Sequence, residues 1–264
     1  MDLQLQGKRA LVTGSTAGIG LAIAQGLAKE GAAVIVNGRT EKRVEQALSA
    51  LKKAGVSGKL EGLAADLGTA QGTRTAIERF PELDILVNNL GIFEAKPFED
   101  IPDADWLRFF EVNILSGVRL SRHYLPGMKK RNWGRIVFIS SESAIHIPAE
   151  MIHYGMTKTA QLAIARGLAE TTAGTNVTVN SVLPGPTASE GVTDFVESLA
   201  RDQKTTRQQV EREFFQNIRP TSLLKRMIES QEIANLVTFI CSPLSSATNG
   251  AALRADGGVV RSVV

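Results

Sequence analysis

Short apolar runs alternate with amphipathic stretches from the start of the chain to Pro184. Arg9-Ala10-Leu11-Val12-Thr13 predicts a buried strand, the spacing from Gly18 to Glu30 predicts a helix closed by Gly31, and Ala33-Val34-Ile35-Val36-Asn37 predicts a second strand. The rhythm then repeats. A helix over 41–54 follows an N-cap at Thr40, a strand falls near 62–66, a helix runs to about Phe80, and Asp84-Ile85-Leu86-Val87-Asn88 reads as a strand. One long helix is expected from about Asp103 to Lys130. It is followed by a strand at 135–139, a helix carrying Tyr154 to about Thr172, and a strand at 177–182. Strands that are apolar on both faces and separated by helices predict a parallel sheet covered on both sides.

After Pro184 the rhythm breaks. Residues 189–222 are more polar and charged, with Arg201 to Thr206 as a loop between two helical pieces. An excursion of that length after a central strand reads as a substrate lid or as a peripheral helical ornament. A helix from Glu229 to Cys241 and a short strand over 251–254 restore the pattern.

Composition narrows the function classes. The 264 residues carry 30 basic and 27 acidic side chains, interspersed, with Lys129-Lys130-Arg131 as the densest basic run. No basic stripe with neighbouring aromatics marks a nucleic-acid surface. No apolar run reaches the length of a membrane span, and the first six residues lack an apolar signal core. The single cysteine, Cys241, lies in an apolar segment and fits a reducing, cytoplasmic protein as a small core residue. His123, His146 and His153 have no metal-ligand spacing with each other or with Cys241, so no metal is expected.

Two stretches carry chemistry. The first strand runs into Thr13-Gly14-Ser15-Thr16-Ala17-Gly18-Ile19-Gly20 and then a helix. Glycines there permit a sharp turn and close approach to a pyrophosphate, and the helix N-terminus offers unpaired N–H groups, so a dinucleotide site is expected. Arg39 follows the second strand where a carboxylate would bind an adenosine ribose. Its planar fork suits a 2′-phosphate, which favours NADP(H) while leaving NAD(H) possible; the alternative is an arginine that stacks on adenine or points to water. The second stretch is Tyr154-x-x-x-Lys158. Positions four apart share a helix face, and an ammonium beside a phenol lowers its pKa toward that of a usable general acid/base. By itself the spacing also fits a half-exposed helix face. Glu142, Ser143, His146, Glu150 and His153 are candidate pocket residues or solvated loop residues.

These motifs, with Asp66 after the third strand, Asn88-Asn89-Leu90-Gly91 after the fourth, Asn113 in the long helix, Ser141 after the fifth and Pro184-Gly185, resemble the classical short-chain dehydrogenase/reductase (SDR) family over nearly the whole chain. The resemblance implies an α/β fold: one doubly wound Rossmann domain spanning 1–264 with a helical lid after the sixth strand. It implies an oxidoreductase that interconverts a carbonyl and a secondary alcohol. Tyr154 would be the proton donor or acceptor, Lys158 would tune it and hold the nicotinamide ribose, Ser141 would bind the substrate oxygen, and Asn113 would support a water-linked relay to Lys158. For the cofactor it implies Gly14, Ser15, Thr16, Gly18, Ile19 and Gly20 in the turn, Asp66 near the adenine, Asn89 near the adenosine ribose, Pro184, Gly185, Thr187 and Ser189 around the carboxamide, and Leu67 and Gly91 as further cofactor contacts. A small-molecule substrate and a homo-oligomer, tetramer or dimer, complete the expectation. Leu90, Ala144, Thr187 and Ser189 depart from the residues usual at their positions. A 3-oxoacyl thioester reductase of the same family, which would use Lys129, Lys130 and Arg131 to dock an acidic carrier, and a cofactor-binding regulator without turnover are the competing readings. No Gly-x-Ser-x-Gly elbow or Walker loop is present.

Overall fold

The computed structural model describes residues 2–56, 58–188, 200–201 and 205–263. Seven parallel strands form one sheet in the order β3-β2-β1-β4-β5-β6-β9. They are β1 (Arg9–Val12), β2 (Ala33–Gly38), β3 (Leu60–Ala64), β4 (Ile85–Asn88), β5 (Gly134–Ile139), β6 (Val177–Pro184) and β9 (Ala252–Ala255). The order reverses between β1 and β4, and the carboxyl ends of strands at such a reversal form the crevice where doubly wound sheets bind ligands.

Alternation along β1 explains why the sheet is covered twice. Ala10 and Val12 face one core with Val34, Val36, Ile85 and Val87, against α1 (Gly18–Lys29) and a later helix, Ser230–Cys241. Leu11 faces the other with Ile35, Leu86, Ile136 and Phe138, against Leu120, Tyr124 and Met128 of α5 (Ser116–Lys130). Each fully buried aliphatic side chain contributes about 1.5–3 kcal/mol of burial free energy. Gly26 of α1 faces Thr238, and a Cβ there would come within 2.5 Å of the threonine Oγ1, so glycine sets the close approach of those two helices. Cys241 is buried in the first core, as expected.

The remaining helices up to the excursion are α2 (Glu41–Lys53), α3 (Ala70–Arg79), α4 (Asp103–Phe109) and α6 (Ile152–Glu170). Thr40 caps α2 through Arg43 N, as the sequence suggested. Two expectations change and one short strand pair is added. The third strand lies at 60–64, not 62–66, because Ala65 leaves the ladder after one bond to Gly38 O, and Asp66 Oδ1 accepts from Gly68 N to turn the chain toward α3. The single helix expected over 103–130 is interrupted by a π-helical turn at Phe110–Leu115, which separates α4 from α5 and carries Asn113. Such turns insert one residue into the ladder and re-aim the side chains they carry. Finally, β7 (Thr187–Ala188) pairs with β8 (Ile228–Glu229), each too short to leave a periodic signature.

Of the expected excursion, residues 189–199 and 202–204 lie outside the described residues, as does Ser189 with them. Its later part forms α7 (Arg207–Glu213) and a π-helical turn at Phe214–Ile218, packed through Val210, Phe215 and Met227. The last helix, α8 (Ser230–Cys241), begins with a capping box in which Glu229 and Glu232 satisfy each other's backbone N–H groups. Among the described residues, no helix is long and apolar enough to cross a membrane.

Candidate active site

At the carboxyl end of β1, the glycine turn is braced from both neighbouring strands. Gly14 and Gly18 have φ of +60° and +54°, a region that favours glycine. A Cβ on Gly20 would sit 2.5 Å from Gly14 O and from Asn89 Nδ2, so this site closes to any larger residue. Asn37, at the end of β2, accepts from Gly14 N at 3.0 Å and donates to Leu63 O and Ala65 O. Asn89, after β4, donates to Thr13 O and Gly14 O at 2.9 and 3.1 Å. Thr13 Oγ1 accepts from the N–H groups of both Asn89 and Leu90.

The bracing sorts the expected cofactor residues. Ser15 donates its hydroxyl to Val12 O and its N–H to Asn37 O, so its donors are committed inside the protein and it serves the turn itself. The Asn89 amide donors are spent on the same turn. In contrast, the N–H groups of Gly18, Ile19 and Gly20 open α1 and have no partner among the described residues, which leaves donors for an anion. Arg39 stands exposed just past β2 and forms no ion pair among the described residues. Asp66 is exposed at the end of β3, whereas the Leu67 side chain is buried in the second core and offers only backbone. On the far side of the crevice, Gly185 N donates to Ala255 O, and Thr187 Oγ1 donates to Gly185 O at 2.8 Å.

The four residues expected to carry catalysis come from three separate elements and meet beside this turn. Lys158 on α6 is 4% exposed and donates Nζ to Ile139 O at 3.0 Å and to Gln161 Oε1 at 3.4 Å. Burial pushes its pKa down to about 8. Tyr154, one turn earlier, lies with its ring centroid 5.5 Å from Lys158 Nζ and edge-on to Phe93. Burial of the phenol raises its pKa above the ordinary 10; Ser141 opposes that shift by hydrogen bonding, and the Glu142 charge reinforces it. The expected lowering of the phenol by Lys158 is therefore not the resting state, because the ammonium is committed to a carbonyl and an amide instead. Gly91 completes the group: a Cβ there would lie 3.4 Å from Lys158 Nζ and 3.5 Å from Asn113 Oδ1.

Asn113 is buried, with Oδ1 accepting from Ile92 N and Nδ2 donating to Ile92 O and Thr157 Oγ1. Its backbone carbonyl accepts from Gln161 Nε2 at 2.6 Å. Gln161 thus joins Asn113 to Lys158 directly, a link that the sequence expectation left to water. Its position one turn beyond Lys158 was the available signal.

Among the pocket candidates, Glu142 and Ser143 are buried beside Ser141, His146 and Glu150 are exposed, and His153 is fully buried. His153 lies tilted against Phe109, ring centroids 4.1 Å apart, and meets Trp106 edge-on, so it belongs to the packing between α4 and α6, not to a pocket. Ser141 Oγ donates to Glu142 Oε2 at 2.5 Å, and Glu142 Oε1 accepts from Arg219 Nε at 3.1 Å. Arg219 had no signal in the sequence, since it lies in the aperiodic excursion. No cluster of three or more His, Cys, Asp or Glu side chains suited to a metal occurs among the described residues.

Residues 8–206 match the model of the family described as short chain dehydrogenase. The chain belongs to the short-chain dehydrogenase family. A 57% identical relative covering all of both chains is an uncharacterized oxidoreductase, YvaG, of Bacillus subtilis. D-beta-hydroxybutyrate dehydrogenase of Cupriavidus necator is 34% identical over 97% of this chain and 99% of its own. The crystal structure of L-sorbose reductase from Gluconobacter frateurii, complexed with NADPH and L-sorbose, superposes over the whole of both chains with a TM-score of 0.92 at 30% identity. This dehydrogenase is accordingly an NAD(P)-dependent enzyme acting on CH–OH and C=O groups.

Proposed function

We propose that the protein is an NADP(H)-preferring reductase of small, uncharged carbonyl compounds, with Tyr154 as the general acid/base. The observation that carries this reading is the convergence of Tyr154, Ser141 and the Lys158–Gln161–Asn113 chain beside the turn whose free N–H groups open α1. The cradle fits a dinucleotide: its glycines exclude a Cβ, its first-turn donors are unpaired, and Arg39 is free to meet a 2′-phosphate. When bound, the nicotinamide supplies or accepts the hydride exchanged at the substrate carbon. The chain's own part is to manage the oxygen. Ser141 and Tyr154 present two hydroxyls to it, and Tyr154 gives up its proton as negative charge develops there. At neutral pH the phenol is protonated and the Lys158 ammonium, at about 8, is still mostly charged, which suits the reducing direction.

Charge supports an uncharged substrate. Glu142 and Glu150 share the single Arg219, so the wall beside Ser141 carries more negative than positive charge and disfavours a carboxylate. The L-sorbose bound by the structural neighbour makes a neutral ketose the first compound to test. The placement of its basic run speaks against the carrier-docking alternative. Lys129, Lys130 and Arg131 precede β5 at its amino end, about 20 Å of strand away from the site, and Lys129 and Arg131 are already bonded to Thr171 O and Leu83 O. We assign the described part of the excursion that carries Arg219 as a cover over the substrate volume, supported by Arg219 reaching Glu142, and a cytoplasmic homotetramer as the working form, supported by exposed Leu107 and Phe110 around α4.

The test is a panel of ketoses, hydroxyketones, 3-oxo acids and 3-oxoacyl thioesters with NADPH and NADH, read at the reduced nicotinamide absorbance. Turnover of neutral ketones with NADPH is expected. Preference for the acids or thioesters would overturn the substrate class, and binding of NADPH without turnover of any compound would favour the regulator.

A further inference from the structure

The Ser141 hydroxyl has one proton, and it is donated to Glu142. The bond is short, 2.5 Å, and its acceptor is a carboxylate, so it is of the strong charge-assisted kind. Glu142 is 4% exposed, beyond the reach of bulk water to satisfy it. Its other donors are Ser143 Oγ, at 3.2 Å on the same oxygen, and Arg219 Nε, at 3.1 Å on the opposite one. A buried carboxylate left with too few donors is costly, so its hold on Ser141 depends on what else it is bonded to. With Arg219 in place, Ser141 can leave and the carboxylate keeps a cation and a hydroxyl. Without it, a full charge would be left on one neutral hydroxyl.

The guanidinium is placed with care by its own segment. Arg219 is 6% exposed and follows the π-helical turn at Phe214–Ile218, its N–H bonded to Phe214 O and its carbonyl accepting from Ser222 N. Nη1 holds Ile218 O at 3.1 Å and Glu150 Oε1 at 3.3 Å. Arg219 is thus held between two carboxylates, those of Glu142 and Glu150, and the carbonyl of Ile218.

Resting on the reductase reading above, we propose that Arg219 is a positioning residue that acts through Glu142 to release the Ser141 proton to the substrate oxygen. The substrate side of catalysis is thereby tied to the segment after β6, while the nucleotide turn is not.

Three variants test this: R219M, E142Q and the doubly neutral E142Q/R219M, each checked for folding by circular dichroism and for NADPH binding by nucleotide fluorescence. R219M is expected to lose about 10- to 100-fold in kcat with the parent's NADPH affinity kept within about threefold, the size of one charge-assisted hydrogen bond held in the wrong place. Adding E142Q removes the unpaired carboxylate and should regain at least about fivefold of that loss, which a merely structural role for Arg219 would not allow. R219M turnover within twofold of the parent, or a double variant no better than R219M, overturns the proposal. Should R219M fail to fold, the doubly neutral protein decides alone: kcat within about tenfold of the parent sustains the inference, and a larger loss ends it. A parent that turns over no carbonyl compound would instead remove the reductase reading on which the inference rests.

Discussion

Replacing Lys158 by Met should make the cofactor-free protein more stable at neutral pH while removing its activity. The ammonium sits 4% exposed, and burial lowers its pKa from 10.5 to about 8. A lysine whose pKa is depressed on folding costs stability wherever the unfolded chain holds more protons. The cost is therefore full below about pH 8 and fades as the pH rises toward 10.5. With those two values the cost is about 3 kcal/mol at pH 7 and about 1 kcal/mol at pH 10. Met fills similar volume without charge but strips Ile139 O and Gln161 Oε1 of their donor, at about 1 kcal/mol each. The net is a gain of about 1 kcal/mol at pH 7, or about 2–4 °C in Tm for a chain of this size. Urea melts of parent and K158M at several pH values provide the assay. Because other titrations cancel in the difference, and Tyr154 stays protonated through this range, the gap should shift by about 2 kcal/mol in the parent's favour between pH 7 and 10. A gap that is constant with pH would refute the buried-ammonium argument, whatever its sign at pH 7.

Other perturbations separate the parts of the site. Tyr154→Phe should leave NADPH binding intact and lower turnover by about 100- to 10,000-fold, the range of a lost general acid, as measured by steady-state kinetics; unchanged turnover would remove Tyr154 from the chemistry. Arg39→Ala should weaken NADPH by about 10-fold or more and NADH by less than threefold in fluorescence titrations, with equal weakening ending the case for a 2′-phosphate contact. Gly20→Ala places a methyl 2.5 Å from Gly14 O, so binding of both nucleotides should fall together with a loss of about 1–3 kcal/mol in chemical denaturation. Normal nucleotide affinity in that variant would show that the turn can open.

The fold was readable in the sequence because strands such as β1, β2 and β4 are short, mostly apolar runs that alternate with amphipathic helical stretches. Its misreadings fall where those signals are weak. The π turn at 110–115 keeps the helical pattern of polar and apolar residues, so only the hydrogen-bond ladder reveals it. The two-residue strands at 187–188 and 228–229 are shorter than one period. At the site, Tyr154, Lys158, Ser141 and Asn113 were legible from ordered motifs, whereas what each side chain bonds to was not. Asn37 is the instructive case. A polar residue closing the apolar run Ala33-Val34-Ile35-Val36 was a visible anomaly, and it proves to be the amide that braces the glycine turn. Arg219 had no comparable mark, because its role comes from a contact 77 residues away in sequence.

The sequence suggested that Lys158 stabilises a phenolate, yet burial raises the pKa of Tyr154 and lowers that of Lys158, so each shift favours the neutral form. The two effects share one cause and one remedy. A site that keeps both groups away from water holds the phenol protonated and leaves the ammonium on a carbonyl and an amide, with about 3 kcal/mol of stability given up. Polar groups that arrive with a bound nucleotide can hydrogen-bond the ammonium, favour its charged form and move it back toward its ordinary pKa. The cation would then be fully present when charge develops on the substrate oxygen. In the proposed mechanism, binding and acid/base tuning are therefore coupled through one buried lysine. The coupling predicts that NADPH affinity falls as pH rises through about 8 in the parent and loses that dependence in K158M. Fluorescence titrations from pH 6.5 to 9.5 would read it directly, and a parent affinity that is flat across that range would disconnect the lysine from the cofactor.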